Sequence, residues 1–254
     1  MNDIVAVPLR TVGEFFGFSA HVAKAAFRRP FQWSEFVDQS WFVARVSILP
    51  TLLVAIPFTV LVSYTINILL HAIGAADLSG AGTAFGAVTQ VGPIVTVLIV
   101  AGAGATAICA DLASRTIREE IDAMRVLGID PDQRLVVPRV LASTLVALLL
   151  NGLVCTIGIA GGFGFSVALQ SVNPGSFVNG ITLLTGLAEL LISELKAGLF
   201  GLIAGLVACF LGLNVRGGAK SVGDAVNQTV VFAFMALFVV NVVVTAVGLE
   251  LTKR

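Results

Sequence analysis

Long apolar windows separated by short charged ones organise this chain. Between Arg45 and Asp77 lie 31 residues without Lys, Arg, Asp or Glu, between Asp77 and Asp111 33, and between Arg139 and Glu189 49. Lys196 to Arg216 leaves 19 and Asp224 to Glu250 leaves 25. A helix needs about 20 apolar residues to cross a bilayer core, and a charge at its centre costs roughly 2.5–3.5 kcal/mol on insertion scales. Each window can therefore hold a span. A buried soluble bundle is the alternative, but its helices rarely run so long without a solvated face. The pattern predicts five spans, at about 46–73, 87–112, 140–170, 197–213 and 226–248.

The first 45 residues follow a different rule. Over 8–28, Val12, Phe16, Ala20, Ala23 and Phe27 recur at three- and four-residue steps, with Glu14, His21, Lys24 and Arg28 on the other side. That is the pattern of a helix lying in the membrane surface; a soluble helix packed on a partner is the other reading. Pro30 ends it, and Phe31, Trp33, Phe36, Trp41 and Phe42 cluster as aromatic residues do at the headgroup level. The expected organisation is an interfacial segment, 1–45, followed by a transmembrane domain, 46–254. Residues 177–195 can be read as a sixth span. However, Glu194-Leu195-Lys196 offers no turn before a span starting at Ala197, so an amphipathic outer-face helix with Glu189 and Glu194 on its wetter side is preferred.

Composition agrees with a membrane class. Of 254 residues, 57% are hydrophobic and 12% charged, against about 25% charged in soluble domains. The mean hydropathy is +0.99. Net charge is zero, which leaves no electrostatic case for nucleic acid. Five basic residues precede the first span and five lie between the second and third, whereas the 74–86 and 171–178 loops have none. Positive charge marks the cytoplasmic side, so the amino end is expected inside and, after five spans, the carboxyl end outside.

One charged stretch stands out, "REEIDAMRVLGIDP" at 118–131. Thr116 can cap a helix with Glu119 completing a capping box, Ile117, Ile121, Met124 and Leu127 form an apolar stripe, and Arg118, Asp122 and Arg125 share the opposite face. Gly128 stops it and Pro131 prevents its restart. The expected helix, about 116–128, is too short to span and lies on the cytoplasmic side. It is either a solvated connector or a knob that docks on a soluble partner.

Residues 100–139, "VAGAGATAICADLASRTIREEIDAMRVLGIDPDQRLVVPR", resemble the signature region of the MlaE/YrbE family of lipid-transport permeases. Glu119 to Met124 match its E-Q-I-D-A-L type coupling helix. Leu127, Gly128, Pro131, Leu135, Val136, Pro138 and Arg139 match the M-G-x-x-P and L-V-x-P-R that follow. "VRGGAKSVGDAVNQTVV", 215–231, is similar to the family's later Gly-Gly-Ala segment. The likeness looks closest to the actinobacterial chains of Mce systems.

The resemblance implies an all-α integral membrane permease of the plasma membrane, acting in a pair and bound to two cytoplasmic ABC ATPase subunits. Arg118, Glu119, Glu120, Asp122, Met124 and Arg125 would face the ATPase. It further implies MCE-domain partners forming an extracytoplasmic lipid tunnel, import of a fatty-acid, mycolic-type or sterol lipid, and ATP and magnesium held by the ATPase. The departures from the family are Gln90 and Val91 before Gly92-Pro93, Ala103, Lys220 and Asn241, where family members often carry charge. They imply a heterodimer with a second YrbE-like chain that supplies those charges. The rival reading is a membrane scaffold that anchors an MCE-type assembly without coupled transport.

Enzymatic chemistry is not expected. "RGGAKS", 216–221, lacks a Lys directly after the second Gly and a preceding strand, so it is no phosphate loop. His21 and His71 have no Cys or acid at ligand spacing, and Cys109, Cys155 and Cys209 sit singly in apolar windows; no metal is expected. The polar residues inside spans are Ser63, Tyr64, Asn67, Asn151 and Asn241. They either line a lipid path, Ser63, Tyr64, Asn67 and Asn241 being the candidates, or make hydrogen bonds between helices.

Overall fold

The computed structural model describes residues 3–28, 30–170 and 172–252; Met1, Asn2, Arg29, Ser171, Lys253 and Arg254 lie outside them. The described residues form helices joined by short turns. An amino-terminal helix, Asp3–Ala26, precedes span 1, Trp33–Ala72. Span 2 is Ser79–Ile117, span 3 Asp132–Gln170, span 4 Leu187–Leu213, and span 5 starts at Ala219 in a helix that runs to Thr252. Two short helices complete the fold: Glu120–Val126 between spans 2 and 3, and Pro174–Leu184 between spans 3 and 4. The five span helices are long and apolar enough to cross a membrane.

Span 3 lies at the centre, packed along span 1 on one side and span 4 on the other, and span 4 also packs on span 5. Span 2 threads among them and is locally widened into π-turns at Ala87–Val91 and Val100–Ala105. The first of these absorbs the break in the hydrogen-bond ladder that Pro93 imposes. Spans 3 and 4 meet backbone to backbone. A Cβ at Gly201 would lie 2.6 Å from the Ser143 carbonyl oxygen and 2.7 Å from the Ala147 Cβ, and the Ser143 hydroxyl donates to the Gly201 carbonyl at 2.8 Å. Where lipid tails are as apolar as the side chains, such close packing is what holds helices together.

Three expectations are corrected. The helix that holds span 1 already begins at Trp33, so the boundary proposed at 45/46 falls inside a continuous helix. Its first turns carry Glu35 and Asp38, and Glu35 finds a partner in the bundle. The amphipathic helix expected at 177–195 is instead two elements. Pro174–Leu184 is capped by Asn173, whose side chain accepts from the Gly175 N–H at 2.8 Å. Span 4 then starts at Leu187, where the Glu189 carboxylate accepts the Gly186 N–H at 2.8 Å. Glu189, Glu194 and Lys196 thus belong to a span; Glu194 accepts the Asn151 amide at 3.0 Å and Lys196 is buried.

The amino-terminal helix is apolar on two sides. Val22 and Ala25, with Phe15 and Phe18, face the bundle, whereas the stripe read from the sequence, including Val12, Phe16 and Phe27, faces outward. An outward apolar stripe on a helix packed on a membrane bundle suits an interfacial position.

Gly201→Leu is expected to wedge spans 3 and 4 apart and destabilise the protein by about 1–3 kcal/mol or more. Gly161→Ala, with open space around its position, should be silent. Thermal unfolding in lipid nanodiscs reads both.

Candidate functional site at the charged end of the bundle

The charged end is built around Arg139, which is completely buried. Its guanidinium reaches the Asp111 carboxylate of span 2 at 2.6 Å, the Glu35 carboxylate of span 1 at 3.4 Å and the Leu135 carbonyl at 3.0 Å. An arginine stays charged, and removing one partner of a buried pair destabilises by about 3–5 kcal/mol. Three spans are therefore tied at one level. From Asp111 the charges continue outward: Arg115 lies 3.3 Å from Asp111 and 3.9 Å from Glu120, and Arg118 lies 3.1 Å from Glu120.

This outward run positions the segment after span 2, but not as one helix over 116–128. Thr116 stays inside span 2, its hydroxyl 2.9 Å from the Leu112 carbonyl and 3.1 Å from the Gly212 carbonyl of span 4, so it caps nothing. The chain turns at Arg118 and Glu119. Glu119 takes a left-handed conformation, φ 59°, and is the one non-glycine residue with positive φ among those described. This conformation is uncommon for non-glycine residues and holds only where the surroundings dictate it. A helix of seven residues, Glu120–Val126, follows. It ends as expected at Gly128, φ 74°, with the Ile129 N–H donating to the Met124 carbonyl at 2.9 Å.

The candidate docking residues divide by face. Glu120 is held between Arg115 and Arg118, Met124 is half-buried against the core, and Ile121 beside it is buried. Glu119 is exposed, and Asp122 pairs with Arg125 at 2.9 Å in the open. Leu127, read as part of the inward stripe, instead projects outward at 74% exposure beside Val126 at 88%. The exposed face thus combines two bare aliphatic side chains with the charges of Glu119, Asp122 and Arg125.

The amino-terminal helix clasps the turn that follows. Arg28 lies 3.2 Å from Asp130, His21 lies 3.5 Å from Asp132, and the Gln133 amide reaches the Arg28 and Pro30 carbonyls at 3.5 and 3.4 Å. Folding brings His21 beside two acids that sequence spacing does not reveal, with ligand atoms of His21, Asp130 and Asp132 within 4.8 Å of one another. Arg28 already serves Asp130, so the group works as a polar clasp.

The span polar residues are scattered. Asn67 donates to the Ser166 hydroxyl at 2.8 Å, and the buried Ser63 lies one turn away on the same span 1–span 3 interface. Tyr64 points outward, edge-on to Phe165. Asn151 donates to the Ser193 hydroxyl at 3.0 Å, and Asn241 is half-buried on span 5, away from the others. Two features escaped sequence reasoning. One is the Arg139 network, whose only signal is a charge directly after Pro138 at the edge of an apolar window. The other is Lys196, 4% exposed, which lines a cavity of about 120 Å³ with Gln90, Glu189, Ser193 and Thr245. The charge triplet at 189–196 could have signalled it.

Five span helices with a short charged helix tethered at one end define a polytopic membrane protein. Comparison with known proteins agrees: the model of the family "Permease MlaE" matches residues 36–247. The chain belongs to the MlaE permease family. It is 33% identical over 168 residues to a probable ABC transporter permease protein of Synechocystis sp., covering 66% of this chain and 64% of that one. It is 28% identical over 243 residues to a probable ABC transporter permease protein of Rickettsia conorii, covering 93% and 91%. It is also 29% identical over 157 residues to the Arabidopsis thaliana chloroplastic protein trigalactosyldiacylglycerol 1, covering 62% and 45%. The matches to the Synechocystis and Arabidopsis proteins thus span less than two thirds of those proteins.

Asp111→Ala should strip Arg139 of its closest partner and lower stability by about 3–5 kcal/mol. Asp122→Ala, removing an exposed pair, should change it by less than about 0.5 kcal/mol. Thermal unfolding in nanodiscs distinguishes the two.

Proposed function

We propose that this chain is the membrane subunit of an ATP-driven lipid transporter, driven through the Glu120–Val126 helix by a cytoplasmic ATPase that binds ATP and magnesium. The observation that carries the reading is the form of that helix. It is held to the spans by Glu120, Ile121 and Met124, yet turns Val126, Leu127, Asp122 and Arg125 to the outside. A solvated connector has no use for two bare aliphatic side chains, whereas an apolar centre rimmed by charge suits a protein partner. Arg118 and Glu119 lie at its edge and complete the docking surface.

The orientation follows from the basic end: the amino terminus and the docking helix are cytoplasmic, and span 5 leads to the extracytoplasmic side. Lipid as cargo is supported by the family, by the Arabidopsis relative, whose name is that of a glycolipid, and by walls that are apolar with few polar points. Tyr64 and Asn241 are the path candidates left free to meet lipid; Ser63 and Asn67 lie where spans 1 and 3 are held together. A second, similar permease chain completes the unit against the uncovered face of span 5, where Met235, Phe238 and Val242 are exposed. MCE-domain proteins deliver lipid at the outer end for import.

Changing Glu119 and Asp122 together to Lys should abolish co-purification with the ATPase, while membrane insertion and thermal stability stay at the parental level. Undiminished co-purification would overturn the docking role.

A further inference from the structure

The amino-terminal helix does not seal against the bundle along its whole length. Phe15 and Phe18 seat on Phe210 of span 4, with ring centroids 5.5 and 5.6 Å apart. Beside Thr11–Phe15 a cleft lies between this helix and the adjoining ends of spans 4 and 5. The cleft has two chambers that share Thr11, Phe210 and Leu211 as a common wall. The inner chamber, about 230 Å³, is otherwise lined by Val12, Phe15, Val207, Phe232 and Ala236, and no charged side chain enters it. The other, about 400 Å³, carries Glu14, Arg216 and Asp224 among polar neighbours such as Ser221 and Gln228.

An apolar chamber opening onto a polar one fits an amphiphile. The charges narrow the choice of head. Glu14 is already neutralised by Arg10 at 2.9 Å. Arg216 and Asp224 line the same chamber, and among the described residues neither takes part in an ion pair. A guanidinium matches a phosphate, and a carboxylate matches an ammonium group. The level is also right: span 4 ends at Leu213 and span 5 begins at Ala219, so Arg216 stands at the polar edge with the apolar chamber below it. Phe16 turns the outer side of the amino-terminal helix to the same leaflet.

We propose that this cleft binds one zwitterionic phospholipid of the leaflet at the charged end, its acyl chain between Phe15, Phe232 and Ala236 and its phosphate and ammonium groups on Arg216 and Asp224. The bound lipid wedges the amino-terminal helix at one end while the His21 and Arg28 clasp holds the other. The site does not depend on coupled transport, and its test does not involve the ATPase.

The test uses the full chain in nanodiscs containing phosphatidylethanolamine with a photoactivatable diazirine in the acyl chain, and adducts are mapped by mass spectrometry. Adducts are expected on the peptides holding Val207–Leu211 and Phe232–Ala236. They should fall about tenfold in Ala236→Trp, which fills the apolar chamber, and about tenfold in Arg216→Ala, with partial recovery in Arg216→Lys. Labelling at Leu53, exposed on span 1, serves as the reference for general lipid contact. Phosphatidylglycerol with the same chain, which has no ammonium group, should label the cleft several-fold less, and Asp224→Asn should remove that preference. Cleft labelling that tracks Leu53 in every variant would overturn the site. Equal labelling by the two lipids would overturn the assignment of the head. Arg216 and Asp224 are exposed, so their variants keep the test decisive if Ala236→Trp fails to fold.

Discussion

A guanidinium that water cannot reach must be met by carboxylates, and Arg139 is such a group. It cannot shed its proton, so the chain has to deliver acids to it. Asp111 comes from span 2 and Glu35 from span 1, while Arg139 itself stands near the start of span 3. Those two contacts set the relative height of three helices, which apolar packing alone leaves free to slide. The close approach of spans 3 and 4 at Gly201 then fixes the fourth, and span 5 is carried on span 4.

The same cluster explains why the loop between spans 2 and 3 is a shaped object. Asp111 also holds Arg115, which with Arg118 draws Glu120 back against the end of span 2. Glu119 accepts a left-handed backbone so that the short helix can turn away from the span axis. The contacts outside the bundle are individually weak, because exposed ion pairs contribute about 0–1 kcal/mol each. Together with buried Ile121 they leave the helix one resting position, which suits the docking role proposed for it. The clasp of His21 and Arg28 on Asp132 and Asp130 ties the amino-terminal helix to that end as well.

Five apolar windows were enough to read five spans, because burial in a bilayer demands an unbroken apolar stretch. Span limits failed where a charge is satisfied by a neighbouring helix: Glu35 before the first window and Glu194 before the fourth. A local pattern cannot register a partner such as Asn151, 43 residues distant. The docking segment was legible as amphipathic and its stop at Gly128 was right. Its start was not, since Thr116 is claimed by Gly212 of span 4, a contact no capping rule contains. The outward face of the amino-terminal helix was read as its only apolar side because Phe15, Phe18, Val22 and Ala25 reveal their role only against Phe210 and its neighbours. The cleft at Arg216 and Asp224 is assembled from three helices and has no sequence signature.

The central claim is that the end organised by Arg139 offers its short helix to a separate ATPase. A photo-crosslinking amino acid at Leu127 tests it most directly in membranes containing the assembled complex, with a second at Ile73, exposed at the opposite end of span 1. The account predicts an adduct between position 127 and the ATPase subunit, and none from position 73. An ATPase adduct at position 73, or lipid adducts alone at position 127, would contradict it.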